Sequence, residues 1–183
     1  MNLEKFTDRA KGFLQAAQTV AIRLNHQRIT PLHIAKALLE DSEGMAAGLI
    51  QRAGGQAPLA ATAVDAGLSK IPVVTGGGAQ ATPGLDNDAV RLLDAAEQLA
   101  DKAGDSYVTV ERMLTAIALS PTPAGEALKA AGISPQSLNA AIEALRAAGS
   151  GDQLQIARMK KRKLMLKDEI AALHDQLVPD IIA

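Results

Sequence analysis

Two acidic residues around the start of one predicted helix are the side chains in this sequence most suited to acid–base chemistry. Asp105 precedes that helix and Glu111 lies in its first turn. Two carboxylates act as acid and base only when their surroundings hold their pKa values apart, which spacing alone does not show. The stronger interpretation is that Asp105 is a turn acid and Glu111 a first-turn acid, and that the positive end of the helix dipole favours both. The pattern therefore predicts no catalytic pair.

The histidines and the glycine run lack the spacing of a metal or phosphate site. None of His26, His33 and His174 has a His or Glu four residues away, and the chain has no cysteine, so no metal site is predicted. His33 lies on a predicted helix, where a surface or satisfied core histidine is far more common than a ligand. The run Gly76-Gly77-Gly78 lacks the Gly-Lys-Ser/Thr ending of a phosphate loop and predicts a linker. We expect no cofactor.

Composition limits the function classes further. The 183 residues are enough for one buried domain and an appendage, and the aromatic residues are Phe6, Phe13 and Tyr107 alone. This scarcity argues against base stacking, and the net charge of -1 argues against a general phosphate-binding surface, so no nucleic-acid partner is expected. The absence of cysteine fits a reducing compartment. No targeting peptide and no apolar run of about 18 residues is present, which favours a soluble, cytoplasmic protein without a membrane partner.

The elements that position these residues come in two copies. The segment beginning at Asn25 is echoed, 79 residues later, by the segment beginning at Gly104. Each copy follows an Ala-rich helical pattern and precedes an Ala-Gly step and another helix. Two copies of one unit usually pack face to face because neither buries its apolar side alone. The sequence predicts an all-α, pseudo-twofold domain of eight helices in two four-helix repeats.

Capping residues and periodic apolar positions set the helix limits. In the first copy we predict helices from Thr7 or Asp8 to about Leu24, from Thr30-Pro31 to about Glu40, and near 44–52 and 58–68. In the second copy they begin at the cap cluster 85–88, at Thr109, at Pro123 and at Ser134-Pro135, the last ending near Arg146. The predicted domain is 1–146, with repeat 1 at about 1–70, a linker at 71–84 and repeat 2 at about 85–146.

The chain changes character after residue 146. Residues 147–151 predict a linker, native or engineered. Residues 152–183 predict an amphipathic segment with one long helix from Asp152 to Val178. Its apolar positions recur at steps of three and four, with Lys163 among them, as in a coiled-coil seam: Ile156, Met159, Leu166, Ile170, Leu173 and Leu177. Six bases lie between Arg158 and Lys167. A solvated face, a partner-binding helix and a contact with nucleic acid or anionic membrane are the three interpretations, in that order of preference.

The duplicated segment resembles the Clp N domain, the amino-terminal module of the ClpA, ClpB and ClpC family of AAA+ unfoldases and disaggregases. The resemblance rests on Phe6-Thr7, on the motif from Thr30 to Leu39, and on the stretch from Ala130 to Ile133. The joint at 71–74 with its Gly-rich continuation looks most like the ClpB branch. The resemblance implies a module joined to an ATPase ring, which contacts exposed hydrophobic segments of unfolded or aggregated client protein, or an adaptor. The ATPase modules lie outside this sequence, so we do not expect an enzyme.

The family's contact positions, carried over by motif, make up the candidate substrate-binding site. They are Thr7, Ala95, Leu99, Asp105, Glu111 and Arg112. Ala95 and Arg112 are not the large aliphatic residues that the family's groove implies, so this part of the groove departs from the pattern.

The tail suggests two further hypotheses. The stretch from Met159 to Ile170 resembles the YdcH-like family of small bacterial helical proteins, and a tail of this kind is a candidate tethered ligand for the repeat domain. The alternative is a stand-alone helical scaffold that oligomerises through its C-terminal coiled-coil-like helix. A monomer in solution favours the first hypothesis and a dimer favours the second.

Overall fold

The computed structural model describes residues 2–73 and 82–148. Within them it contains eight α-helices, as predicted, together with a 3-10 turn at Leu3–Lys5 and two strands of two residues each. The helices are α1 (Asp8–Arg23), α2 (Pro31–Leu39), α3 (Met45–Arg52), α4 (Ala57–Leu68), α5 (Asn87–Lys102), α6 (Val110–Leu119), α7 (Pro123–Ala130) and α8 (Pro135–Ala147). The strands are β1 (Arg28–Ile29) and β2 (Gly84–Leu85).

The chain forms one compact unit that ends at Glu143, and a second unit begins at Ala144, of which residues 144–148 are described. The predicted all-α fold with four helices per copy is confirmed. The predicted tail helix and its apolar seam lie outside the described residues, as do the basic cluster and residues 74–81 of the predicted linker.

The predicted caps position the helix starts. Thr7 Oγ1 accepts a hydrogen bond from the Ala10 amide at 3.1 Å, and Asp86 Oδ1 accepts one from the Ala89 amide at 2.6 Å. These caps are 79 residues apart and satisfy donors that the first helical turn cannot pair internally. Each repeat therefore begins its first helix in the same way.

The centre of the core is formed by α2 and α6, which are equivalent helices of the two repeats. Seven residues of each helix are buried. Helix α2 packs against α1 and α4, and α6 packs against α5 and α7, while α2 and α6 also contact each other. Each fully buried Leu, Ile or Met side chain stabilises the fold by about 1.5–3 kcal/mol before ordering costs. The apolar faces of the two repeats therefore share one core.

Extended segments pair between the repeats rather than within them. Phe6, before α1, forms a parallel bridge with Val108, before α6. Adding the repeat offset to Phe6 gives Leu85, and subtracting it from Val108 gives Ile29. Leu85 and Ile29 form the parallel pair of β2 and β1. The same exchange, in which an extended segment of one repeat pairs with an extended segment of the other, thus occurs twice, once on each side of the pseudo-twofold axis.

The two Ala-Gly steps also meet across the repeats. Gly54 follows α3 with φ +86° and Gly132 follows α7 with φ +84°, a left-handed conformation in which glycine is not strained. The Gln56 amide, just after the first step, donates a hydrogen bond to the Ala131 carbonyl of the second step at 2.9 Å. The repeated dipeptide therefore marks a contact as well as two helix ends.

One close helix approach gives a test of the packing. A Cβ on Gly125 of α7 would overlap the Ser120 carbonyl oxygen and lie 2.7 Å from the Ile117 carbonyl oxygen, whereas a Cβ on Gly48 of α3 would meet nothing within 4 Å. We expect Gly125→Ala to destabilise the protein by about 1–3 kcal/mol. We expect Gly48→Ala, the matched control, to be neutral or to stabilise by up to about 1 kcal/mol. Urea unfolding of both variants measures the difference, and equal stabilities would contradict the α6–α7 packing.

Candidate functional site

The parallel bridge between Phe6 and Val108 places Thr7 beside the start of α6. The Thr7 amide donates to the Val108 carbonyl oxygen at 3.1 Å, and the Val108 amide donates to the Lys5 carbonyl oxygen at 2.7 Å. Thr7, from the first repeat, thereby lies next to the predicted site residues of the second repeat. Ala95 and Leu99 lie one turn apart on α5 and are half-buried, and α5 as a whole packs against α6. The role of these residues in binding stays a prediction.

Asp105 and Arg112 form a buried ion pair. Arg112 Nε donates to Asp105 Oδ2 at 2.7 Å, and the two side chains are 7% and 4% exposed, respectively. The pair joins the turn after α5 to the first turn of α6. Asp105 is therefore more than a solvated turn acid, and its carboxylate is not free to act as a surface anion. Sequence reasoning placed both residues in the site but did not pair them.

Three polar atoms at the start of α6 have no hydrogen-bond partner. They are Thr109 Oγ1, Glu111 Oε2 and Arg112 Nη2, and they are the buried side-chain polar atoms of residues 2–73 and 82–148 that lack one. An unpaired buried polar group typically costs about 1–3 kcal/mol, so such groups are uncommon in native folds. This turn thus holds an unused hydroxyl, an unused acceptor and an unused donor within four residues.

The first repeat carries a different pair in the equivalent position. Subtracting the offset from Asp105 and Arg112 gives His26 and His33, whose Nδ1 and Nε2 atoms lie 2.8 Å apart in the core. Burial, and then the charge of the neighbouring His26, lower the pKa of His33 to about 4, against a smaller opposing effect of the Thr30 backbone. His33 is thus a satisfied core histidine, one of the two interpretations that the sequence left open, and His26 is the partner that sequence reasoning missed.

Within the described residues, no three His, Asp or Glu side chains are gathered so that they could hold a metal ion. None of the described helices has the length and apolar character needed to cross a bilayer.

A family model described as the Clp repeat (R) N-terminal domain matches residues 5–131. The chain belongs to the Clp N-terminal repeat family. A second model, described as a protein of unknown function, matches residues 136–174 and so begins within α8. This match runs through the predicted linker at 147–151, and the predicted likeness of the tail to YdcH-like proteins stays a prediction.

Curated relatives of this Clp N domain carry the name Chaperone protein ClpB. The relative from Rhodopseudomonas palustris is 50% identical over 153 residues, which cover 83% of this chain and 17% of the relative. The relatives from Agrobacterium fabrum and Rickettsia felis are 46% and 37% identical over the same length, covering 83% of this chain and 17% and 18% of the relatives. The chain thus spans about a sixth of the length of these chaperones.

Solved structures share the fold of the Clp N domain. The Hsp104 N-terminal domain from Candida albicans superposes with a TM-score of 0.64 at 23% identity, covering 80% of this chain and 93% of that one. The N-terminal domain of the ClpV1 ATPase from E. coli gives a TM-score of 0.65 at 21% identity, covering 79% and 88%. A structure described as "Peptide from EAEC T6SS Sci1 SciI protein" gives 0.60 at 20% identity, covering 75% and 86%.

Because Asp105 is ion-paired and Glu111 is not, we expect their substitution to affect the stability of this Clp N domain differently. Asp105→Ala leaves the Arg112 guanidinium buried without its counter-charge, so we expect a loss of about 3–5 kcal/mol. Glu111→Ala removes a carboxylate whose Oε2 has no partner, so we expect a change below about 1 kcal/mol. Asp101→Ala, on the exposed end of α5, is the matched control and should also cost less than about 1 kcal/mol. An Asp105→Ala variant as stable as the control would show that the pair does not hold the α5–α6 turn.

Proposed function

We propose that this domain is the client-binding or adaptor-binding module of a ClpB-type chaperone. It contacts exposed hydrophobic segments of unfolded or aggregated polypeptides and passes them to the ATP-driven part of such a chaperone. The observation that carries the proposal is the unsatisfied first turn of α6, which coincides with residues that the family resemblance assigns to client contact. The names of the curated relatives support the chaperone class.

The chemistry of the turn suits a polypeptide chain. Every peptide unit carries one N–H donor and one carbonyl acceptor. Glu111 Oε2 can accept from the first. This atom is covered by protein in the free domain, but Glu111 is half-buried, and we propose that its side chain rotates to bring the carboxylate to the client. Ala95 and Leu99 on α5 add small and medium apolar side chains for a hydrophobic client residue.

The proposal predicts that Glu111 contributes to affinity without contributing much to stability. We expect Glu111→Ala to weaken the binding of a permanently unfolded model protein about tenfold, the loss of roughly one hydrogen bond to a charged group. Glu126→Ala is the matched control because Glu126 is an exposed helical glutamate on α7 with a long ion pair to Lys129. Fluorescence anisotropy at fixed ionic strength measures both variants. Unchanged affinity in Glu111→Ala, together with unchanged affinity in Leu99→Asp, would contradict the proposed site.

The tail seam is proposed as a tethered ligand of the domain. A free helix with the seam Ile156, Met159, Leu166, Ile170, Leu173 and Leu177 would leave these side chains in water, and a short tether gives a high effective concentration. We propose that its basic residues pair with an acid at the rim of the groove, for which Asp105 and Glu111 are the candidates. Asp105 is buried and paired with Arg112. Of these two acids, Glu111 is therefore the one that can pair with the basic residues of the tail.

The tail proposal has its own test. We expect Leu166→Asp with Ile170→Asp to lower the thermal stability of the full chain and to increase hydrogen exchange in the tail, because the charged residues cannot enter an apolar groove. Arg158→Asp, in the basic cluster, is the control for added negative charge. Unchanged stability and unchanged tail exchange in the double variant would show that the seam is not docked. Light scattering of the same samples reports whether docking occurs within one chain or between two.

A further inference from the structure

The two repeats place different polar pairs at the same position of the core. The His26–His33 pair of repeat 1 is equivalent to the Asp105–Arg112 ion pair of repeat 2 under the repeat offset. Both histidines are buried, with His33 wholly inaccessible. A carboxylate and a guanidinium attract each other as opposite charges, whereas two imidazoles take up protons below about pH 6.5 once water reaches them.

The hydrogen bonds define where the imidazole protons lie. The Thr30 amide donates to His33 Nδ1 at 3.0 Å, so this nitrogen carries a lone pair and the His33 proton is on Nε2. His33 Nε2 then donates to His26 Nδ1 at 2.8 Å, which places the His26 proton on its own Nε2. Both rings are therefore neutral. A second proton on either ring would go to Nδ1. There it would face the Thr30 amide at 3.0 Å in His33, or the Nε2–H of His33 at 2.8 Å in His26, and the Thr30 hydroxyl oxygen, 2.9 Å from His33 Nδ1, is an acceptor for the His33 proton alone.

The surroundings of the pair offer little compensation for a positive charge. In the described residues, neither histidine forms an ion pair, and the nearby charged groups have other partners. Lys36 on α2 pairs with Asp65 of α4 and with Glu40, and Arg23 at the end of α1 also pairs with Glu40. Asp86 caps α5 through the Ala89 amide, Asp105 of the α5–α6 turn holds Arg112 of α6, and Glu126 and Lys129 of α7 pair with each other. The other charged groups of these elements are Arg28 on β1, Glu111 on α6, Asp8, Arg9 and Lys11 on α1, and Asp88, Arg91, Asp94, Glu97, Asp101 and Lys102 on α5.

The pair lies at one of the two junctions between the repeats. Ile29 and Thr30 lie between the two histidines in sequence, and the Ile29 carbonyl accepts from the Asp86 amide at 3.0 Å beside the β1–β2 pair. Protonation at His33 removes the acceptor of the Thr30 amide at the start of α2. Protonation at His26 removes the acceptor of His33. Either event therefore loosens the segment that holds β1 against β2.

We propose that mild acid opens the repeat-1 junction, made of the start of α2 and the β1–β2 pair, while the equivalent repeat-2 junction at Phe6–Val108 stays closed. Opening exposes Ile29 and Leu32, both of which are 5% exposed in the closed domain. Because burial lowers the pKa of His33 to about 4, the folded state binds fewer protons than the unfolded state between about pH 6.5 and pH 4. The junction therefore keeps its full stability above that window and loses it as the pH falls through it.

Hydrogen exchange of the full chain at pH 7 and pH 5, with labelling times scaled for the intrinsic rate, tests the proposal. We expect protection in residues 26–35 and 84–88 to fall about tenfold or more at pH 5, while residues 105–115 keep theirs. Equal loss in both regions, or loss in neither, would overturn it. Ring-nitrogen NMR should show both histidines as neutral Nε2–H tautomers at pH 7, and titration of both at about pH 6.5 would also overturn it.

Two variants separate the imidazole pair from general acid effects. His26→Asp with His33→Arg places the pair of repeat 2 in repeat 1, and we expect it to abolish the extra loss of protection at pH 5. His26→Asn keeps an acceptor for His33 Nε2 and removes one titrating ring together with its effect on the pKa of His33, so it should fold and should lose less protection at pH 5 than the unchanged chain. The His26→Asn variant serves on its own if the double variant does not fold. A His26→Asn protein as sensitive to acid as the unchanged chain would contradict the proposal.

Discussion

The exchange of extended segments between the repeats is the constraint on which the rest of the structure depends. The residue before α1 pairs with the residue before α6, and the residue before α5 pairs with the residue before α2. Each central helix thus begins beside a segment from the other repeat. This arrangement places Thr7 next to the α6 turn, brings α2 and α6 into contact, and aligns the two buried polar pairs. A four-helix repeat alone would leave one extended edge and one helix face uncovered.

Much of the fold could be predicted because its signals are local. Caps and prolines such as Thr30-Pro31 and Ser134-Pro135 mark helix starts that the structure places within a residue or two. The two-residue strands escaped prediction because they are too short for an alternating pattern, and their pairing depends on which segments the packed helices bring together. The repeat offset was the available signal, since it relates Phe6 to Leu85 and Val108 to Ile29.

The site was predictable in position but not in its bonding. Motif resemblance located Thr7, Asp105, Glu111 and Arg112, yet the ion pair between residues seven apart required the turn geometry after α5. The same separation joins His26 to His33, so comparing the two copies could have indicated that both pairs meet. The unsatisfied atoms of Thr109, Glu111 and Arg112 depend on side-chain packing, which no sequence pattern reports. The two repeats have therefore kept one backbone plan and diverged in the chemistry at its centre.

The most direct test of this account compares the two repeats apart and together. Residues 1–73, residues 82–148 and the chain ending at Ala148 are each prepared and unfolded in urea, with helix content followed by circular dichroism. The account predicts one cooperative transition for the chain ending at Ala148, and little cooperative structure in either repeat alone, because each lacks the segment that covers its central helix. A repeat that unfolds cooperatively by itself, with the midpoint of the longer chain, would contradict the exchange as the basis of the fold.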